Sequence, residues 1–471
     1  MEKYQNPLIE RYSSKEMIYN FSPKKKFIIW RKLWLYLAEI QRELGLNINQ
    51  HQINDLKHHL FDIDWKRVSF FEKKFCHDVM AHLYALGEKA KIAKPIIHLG
   101  VTSAYLGDNT DLILIRDGLE LLLKKMINVL FHLRNFSLEY KNLPTLSFTH
   151  YQPAQLTTVG KRSSLWMYSL LMDIEELEFR LKNIHFRGVK GTVGSCDSFK
   201  ELFNGNLQKV KILNQRLSNK FGFKKDCSIT GQTYDRKIDS QVLNLLSNIS
   251  QSSHKFSNDI RLLQNLKEIE EPFEKEQIGS SAMAYKRNPI YSERIASLAK
   301  YVISLSNSSA IVSATQWLER TLDDSANRRI VLPQSFLSVD AILIIWKNIS
   351  KNIVVYPKII QKNIKRELPF LITERIIIES VKKGLDRQEI HEKIRKHSML
   401  TNFKVKAEGK ENDFIDRILS DKDIPISHEI MNRIVNPQNL IGFSPEQTLE
   451  FINLQVNPVL NKYQHLIQTY E

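Results

Sequence analysis

Apolar residues recur at mixed three- and four-residue spacing through five long stretches, Leu112–Tyr140, Leu156–Arg187, Arg236–Ile269, Ile290–Glu319 and Ala326–Val355. That spacing is the period of a helix with one buried face. Helices of roughly thirty residues would be about 45 Å long, longer than a small domain is wide, so the pattern predicts an elongated bundle that packs with partner chains. Residues 1–108 read differently. Short helical patterns alternate with polar breaks such as Ser22-Pro23, which precedes the aromatic-rich Phe27–Leu46, and the unit ends near Gly100–Asp108. Beyond Tyr356-Pro357 the patterns shorten again, with turn signals at Gly384, Gly409, Pro425, Pro437 and Pro445. The expected fold is all-α, with three helical domains over 1–108, 109–356 and 357–471, the middle one a long-helix bundle.

Composition narrows this picture. A chain of 471 residues exceeds the usual size of one core. It has only 16 Gly and 14 Pro, with no Gly between Ser280 and Lys383, which suits long helices and argues against a turn-rich all-β fold. Cys76, Cys196 and Cys227 are far apart and lack metal-ligand spacing, so neither a disulfide framework nor a zinc site is expected, and a reducing cytosol is the simplest location. The N-terminal Met-Glu-Lys-Tyr-Gln-Asn-Pro has no secretory pattern. The apolar run Leu112–Leu133 is broken by Arg116, Asp117, Glu120, Lys124 and Lys125, so no membrane span is expected. A net charge of +16 favours anionic partners: nucleic acid, acidic lipid, or a phosphorylated and carboxylated metabolite.

Gly279–Pro289 reads Gly-Ser-Ser-Ala-Met-Ala-Tyr-Lys-Arg-Asn-Pro. Gly at one end and Asn-Pro at the other predict a loop with exposed side chains at its tip. Lys286 and Asn288 supply a charge and amide donors suited to a growing oxyanion, and Ser280 or Ser281 lies beside them as a proton-abstracting group. His150, in Phe-Thr-His-Tyr-Gln-Pro-Ala-Gln, reads as a loop residue between Pro144 and the Leu156 helix. Its ordinary pKa near ~6.5 fits acid or base work at neutral pH. His77 and His82 are five residues apart, about 140° around a helix, which argues against a zinc pair and leaves His82 structural. Gly100-Val-Thr-Ser puts Thr102 and Ser103 on a turn where hydroxyls and amides can converge on a carboxylate or phosphate. Gly188-Val-Lys-Gly-Thr-Val-Gly lacks the context of a dinucleotide fingerprint and reads as a tight turn. Gln232 suits a carboxylate or base amide, while Ser325 and Arg329 suit a phosphate.

The Gly279–Pro289 string resembles the signature of the fumarase/aspartase superfamily, with Ala284 where that signature usually has Pro. Thr149-His150-Tyr-Gln-Pro-Ala-Gln, His77-Asp78-Val, Thr102-Ser103, Gln232, Ser325, Arg329, Arg11-Tyr12 and Arg294 narrow the resemblance to the adenylosuccinate lyase family, over nearly the whole chain. The resemblance implies β-elimination of fumarate from two anionic nucleotide substrates. It selects Ser280 as base, His150 as general acid, and Lys286 and Asn288 as stabilisers of the carbanion-like intermediate. His77 and Asp78 would help hold substrate phosphate and orient the site, and Thr102 and Ser103 the succinyl carboxylates. Arg11, Tyr12, Thr149, Gln232, Arg294, Ser325 and Arg329 complete the implied binding set. It also implies a homotetramer with sites shared between subunits, and neither metal nor organic cofactor. Argininosuccinate lyase is the rival within enzymes. A basic helical nucleic-acid-binding protein is the rival outside them, but no compact basic stripe with interleaved aromatics supports it.

Overall fold

The computed structural model describes residues 4–468. Its helices begin where the sequence supplies caps. In α1 (Pro23–Glu43), Ser22 Oγ accepts the Lys25 N–H and Pro23 occupies the first turn, where its missing N–H costs nothing. Trp30, Leu33, Trp34 and Leu37 bury one face of α1. Two shorter helices follow, α2 (Trp65–Phe75) and α3 (Asp78–Lys89). The long helices are α4 (Ser103–Glu139), α5 (Val159–Asn183), α6 (Lys237–Asn265), α7 (Ile290–Ala314) and α8 (Asp324–Lys351). These are the five periodic stretches, and 68% of the structure is helical.

One expected helix start is wrong. Leu156 lies in a strand, not at a helix entrance: β1 (Pro144–Thr149) pairs antiparallel with β2 (Gln152–Thr158), and α5 begins at Val159. The Leu-Thr-Thr run favours extended backbone once a partner strand is present, and periodicity does not reveal that partner. A second pair joins β3 (Ile269–Glu270) to β4 (Val354–Val355).

Packing groups the chain into two compact units, Met1–Met126 with Met172–His254 and Arg294–Ile345, and Ile127–Leu171 with Lys255–Glu293 and Trp346–Glu471. In the first, His82 is buried against Phe27, with ring centroids 3.9 Å apart; burial, aided by Arg31, lowers its pKa to about 3 and keeps it neutral. In the second, α9 (Thr373–Val381), α10 (Arg387–Ala407) and α11 (Phe414–Ser420) pack Ile376, Ile390, Ile394, Phe414 and Ile418 into one cluster.

The charge-broken Leu112–Leu133 run lies in α4, but α7 and α8 are long and apolar enough to cross a membrane. The most apolar window of α8 is 72% buried within the protein, as in the core helix of a soluble protein. Asp340 on α8 is itself buried, paired with Lys125 and accepting the Ser14 N–H at 2.7 Å. The corresponding window of α7 is 33% buried.

Candidate active site

In the first unit a cavity of about 650 Å³ opens where α3, α4 and α8 begin. Cys76 ends α2 in a left-handed conformation, φ 52°, and His77 then caps α3. His77 Nδ1 accepts the Met80 N–H at 3.4 Å, which leaves the proton of a neutral ring on Nε2, 3.4 Å from Ser103 Oγ. Asp78 accepts its neighbour's Val79 N–H on one oxygen and Arg329 on the other at 3.1 Å. His77, Asp78, Ser103, Gln232, Ser325 and Arg329 therefore line one cavity, from segments as much as 252 residues apart (329 − 77). Thr102 is adjacent in sequence, and its hydroxyl oxygen is buried without a partner among the described residues. Gln232 Nε2 donates to the Thr192 carbonyl at 2.9 Å, which puts the Gly188–Gly194 segment beside the cavity wall.

Sequence reasoning missed the charged floor of this cavity. Arg236 bonds Asp108 at 3.0 Å and Asp324 at 2.6 Å, Arg320 bonds Asp324 at 2.6 Å, and Arg328 bonds Asp239 at 2.6 Å and Asp111 at 2.9 Å. Burial pushes the Asp324 carboxyl up, but Arg236, Arg320 and Arg328 overcome it and hold the group below the usual carboxylate range. Those arginines are largely buried against aspartates, whereas Arg329, paired with Asp78, is exposed. The available signal was the four-residue spacing of Asp324 and Arg328, which aligns the two charges on one face of α8, with Arg320 reaching Asp324 from the segment before that helix.

In the second unit the signature loop spans from β3 to α7. Ser280 Oγ accepts the backbone N–H groups of Ala282 and Met283 at 3.4 and 3.2 Å, donors that favour an alkoxide over a free hydroxyl. Asn288 Nδ2 donates to the Gly279 carbonyl at 2.8 Å and ties the loop base, leaving its second N–H for another acceptor. Lys286 is exposed, and its ammonium has no partner among the described residues. Thr149 and His150 sit at the tip of the β1–β2 hairpin. His150 and Tyr151 both have positive φ, 53° and 57°, the turn that matches the twist of paired strands. Such backbone is costly without glycine, and it projects His150 outward from a rigid support. Arg11, Tyr12 and Arg294 form their own cluster in the first unit, with both guanidiniums over the Tyr12 ring at 5.8 and 5.1 Å. Among the described residues no group of three or more His, Cys, Asp or Glu is arranged to hold a metal.

A family model described as "Lyase" matches residues 70–304, and one described as "Adenylosuccinate lyase C-terminus" matches residues 369–451. The chain is 47% identical over 465 residues to the adenylosuccinate lyase of Schistosoma mansoni, covering 98% of this chain and 97% of that one. The chain belongs to the adenylosuccinate lyase family. The enzyme of that name from Saccharomyces cerevisiae is also 47% identical, over 466 residues, with the same coverage. Among solved structures, a fumarate lyase from Mesorhizobium sp. BNC1 aligns with a TM-score of 0.81 over 98% of this chain and 99% of its own, at 18% identity. A 3-carboxy-cis,cis-muconate lactonizing enzyme from Pseudomonas putida aligns with a TM-score of 0.82 over 98% of this chain and 100% of its own, also at 18% identity. These two establish the helical fold alone, whereas the near full-length identities make the chain a lyase.

Within an adenylosuccinate lyase, the two groups of residues divide by chemistry. The first-unit cavity gathers His77, the Ser103 and Ser325 hydroxyls and Arg329 above the paired arginines and aspartates. The loop and hairpin carry the titratable and nucleophilic side chains, Ser280, Lys286 and His150, on exposed segments.

Proposed function

We propose that the protein eliminates fumarate from adenylosuccinate, giving AMP, and from the succinyl-carboxamide derivative of aminoimidazole ribotide, giving the free carboxamide. Ser280 takes the proton from the carbon next to a succinyl carboxylate. The electron pair left on that carbon forms the fumarate double bond as the adjacent carbon–nitrogen bond breaks, and His150 protonates the departing nitrogen. Lys286 and the free N–H of Asn288 meet the charge that accumulates on the carboxylate, where preorganised donors act most strongly. His77, Asp78, Ser103, Thr102, Gln232, Ser325 and Arg329 bind and orient the anionic groups, with Arg11, Tyr12 and Arg294 as a further set. The observation that carries this reading is the Ser280 hydroxyl under two backbone N–H donors, on a loop that also presents Lys286. A serine is a poor base until its alkoxide is stabilised, and such donors reduce that cost.

The working form in this proposal is a cytoplasmic homotetramer in which different chains complete each site. Leu165, Tyr168, Met172 and Phe179 follow one another along α5 at three-, four- and seven-residue spacing, each more than half exposed. Tyr301 and Ile311 are exposed on α7. An apolar stripe along a long helix is covered in a stable protein, and a bundle of several copies would cover these. Incubation with adenylosuccinate while AMP and fumarate are followed together tests the function. Equal amounts of both are expected, and release of neither overturns it.

A further inference from the structure

Helix α7 begins without a local side-chain cap among the described residues, although the Asn288 carbonyl accepts the Ile290 N–H at 2.9 Å. Its first helical residue is Ile290, and the preceding residue is Pro289, whose side chain has no acceptor. The first-turn N–H groups of a helix need partners, most often the side-chain oxygen of the residue just before it. Here the oxygen comes from the other end of the signature loop. Glu271 Oε1 accepts the Tyr291 N–H at 2.9 Å, while Oε2 accepts the Ser292 N–H and the Ser292 hydroxyl, each at 2.8 Å. The Glu271 side chain is 4% exposed, so these three donors are its solvent. Its negative charge also faces the positive end of the α7 dipole.

Glu271 directly follows β3, which β4 anchors through Ile269–Val355 and Glu270–Val354 pairing. One carboxylate thus joins the fixed strand before the loop to the helix after it, and Gly279–Pro289 hangs between the joined ends. We propose that Glu271 is a positioning residue for the reaction, a latch that makes the start of α7 and the closed base of the catalytic loop a single event. The inference rests on the role given above to Ser280, Lys286 and Asn288. Neighbouring contacts depend on the same base: Gln264 Nε2 donates to the Arg287 carbonyl at 3.0 Å, and the Arg287 guanidinium lies over the Phe273 ring at 5.0 Å. If the stems separate, the three chemical groups lose their common frame although none of them touches Glu271. A misplaced catalytic group costs rate far more than it costs ground-state binding.

The alternative is that Glu271 only caps a helix. Three variants of the full-length protein separate the two: Glu271→Ala, Glu271→Gln, and Glu271→Ala combined with Pro289→Ser, which supplies a local cap without bridging the loop. Pro289→Ser alone is the control for the serine. For Glu271→Ala we expect kcat for fumarate release to fall at least about tenfold with KM changed less than about threefold. Hydrogen exchange should quicken together across Gly279–Pro289 and the first turn of α7. Glu271→Gln keeps one acceptor at the same reach and should recover part of both, and it serves as the test should the alanine variant fail to fold. Adding Pro289→Ser should restore slow exchange in the first turn of α7 while kcat stays low and the loop stays fast. Recovery of kcat to the level of the Pro289→Ser control by the local cap, or unchanged loop exchange in Glu271→Gln and Glu271→Ala, overturns the latch. The exchange measurements need no substrate, so they judge the latch even if the assigned reaction proves wrong.

Discussion

The side-chain amide of Asn288 donates to the backbone carbonyl of Gly279 at 2.8 Å, so the two ends of the signature string are bonded directly to each other. Gly279 has a second constraint: a Cβ there would sit 2.2 Å from the Lys286 carbonyl oxygen, a backbone atom that cannot swing aside. Gly279→Ala must therefore part the loop base. We expect turnover to fall by about two orders of magnitude, because Ser280 and Lys286 flank the disturbed contact. The thermal midpoint should move by less than about 2 °C, since the loop carries little of the core. Paired kinetics and thermal unfolding check this, and a variant with normal turnover would show that the loop works in another conformation.

Ser280→Ala and His150→Ala should each bind adenylosuccinate yet release almost no fumarate, because in the proposed mechanism each removes a proton-transfer group and leaves the first-unit cavity intact. Isothermal titration and a fumarate assay separate the two effects. Retention of more than about a tenth of wild-type turnover in Ser280→Ala, a loss under ~1.4 kcal/mol, would remove Ser280 as the base.

The proposed sharing of sites between subunits leads to a complementation experiment. Inactive His77→Ala and Ser280→Ala chains, dissociated and reassociated together, should regain a minority of wild-type activity, because under that proposal some mixed sites would draw both intact residues from different subunits. Mass spectrometry establishes that the oligomers are mixed. Mixed oligomers with no regained activity would mean that one chain supplies both residues of every site.

Asp173 on α5 is a buried carboxyl with one oxygen unpartnered among the described residues. Burial raises its pKa to about 7, against the pull of the Ser252 hydroxyl. The folded protein therefore holds this proton more tightly than the unfolded chain does. The stability it contributes is complete below pH ~4, falls as pH rises, and is gone above about 7, a swing of at most ~4 kcal/mol. Asp173→Asn cannot titrate, so its stability relative to wild type should improve from pH 5 to pH 8. Urea unfolding of both proteins at the two pH values measures the difference. A difference independent of pH would mean that Asp173 is already ionised at pH 5 or is neutralised by a partner.

Much of this was legible in the residues. The five long helices follow from apolar spacing, since a helix that buries one face must repeat near 3.6, and their ends fall within a few residues of the pattern except at the α4 start. The β1–β2 hairpin was not legible, because its strands are defined by each other and one of them runs straight into a helix. His150 was found as a residue type, but its place at the tip of a left-handed turn was not. Six binding candidates converge on one cavity, whereas the Asp108, Asp239, Asp324, Arg236 and Arg328 floor escaped notice because charges on helices ordinarily read as solvated faces. Glu271 escaped for a related reason: a cap supplied from twenty residues away leaves no local signature.

Ala284 stands where the resembled signature usually has Pro, and the loop geometry bears on what that exchange would do. The Lys286 N–H bonds the Met283 carbonyl at 2.9 Å, so Met283–Lys286 is a β-turn with Ala284 at its second position. Proline is favoured at that position because its fixed φ fits the turn. The Ala284 N–H makes no hydrogen bond among the described residues, so a proline there removes no contact. A compatible change to Pro stabilises by about 0.4–1 kcal/mol, mainly by restricting the open chain. Ala284→Pro should therefore slow hydrogen exchange across Gly279–Pro289 without ligand. If the ordered loop is the form that binds, substrate analogues should bind about two- to fivefold more tightly, from the same ~0.4–1 kcal/mol. Turnover can move either way, since a loop that orders more readily also opens more slowly for product release. Exchange that is unchanged or faster in the ligand-free Pro variant would mean that the surrounding residues have fitted the backbone to alanine.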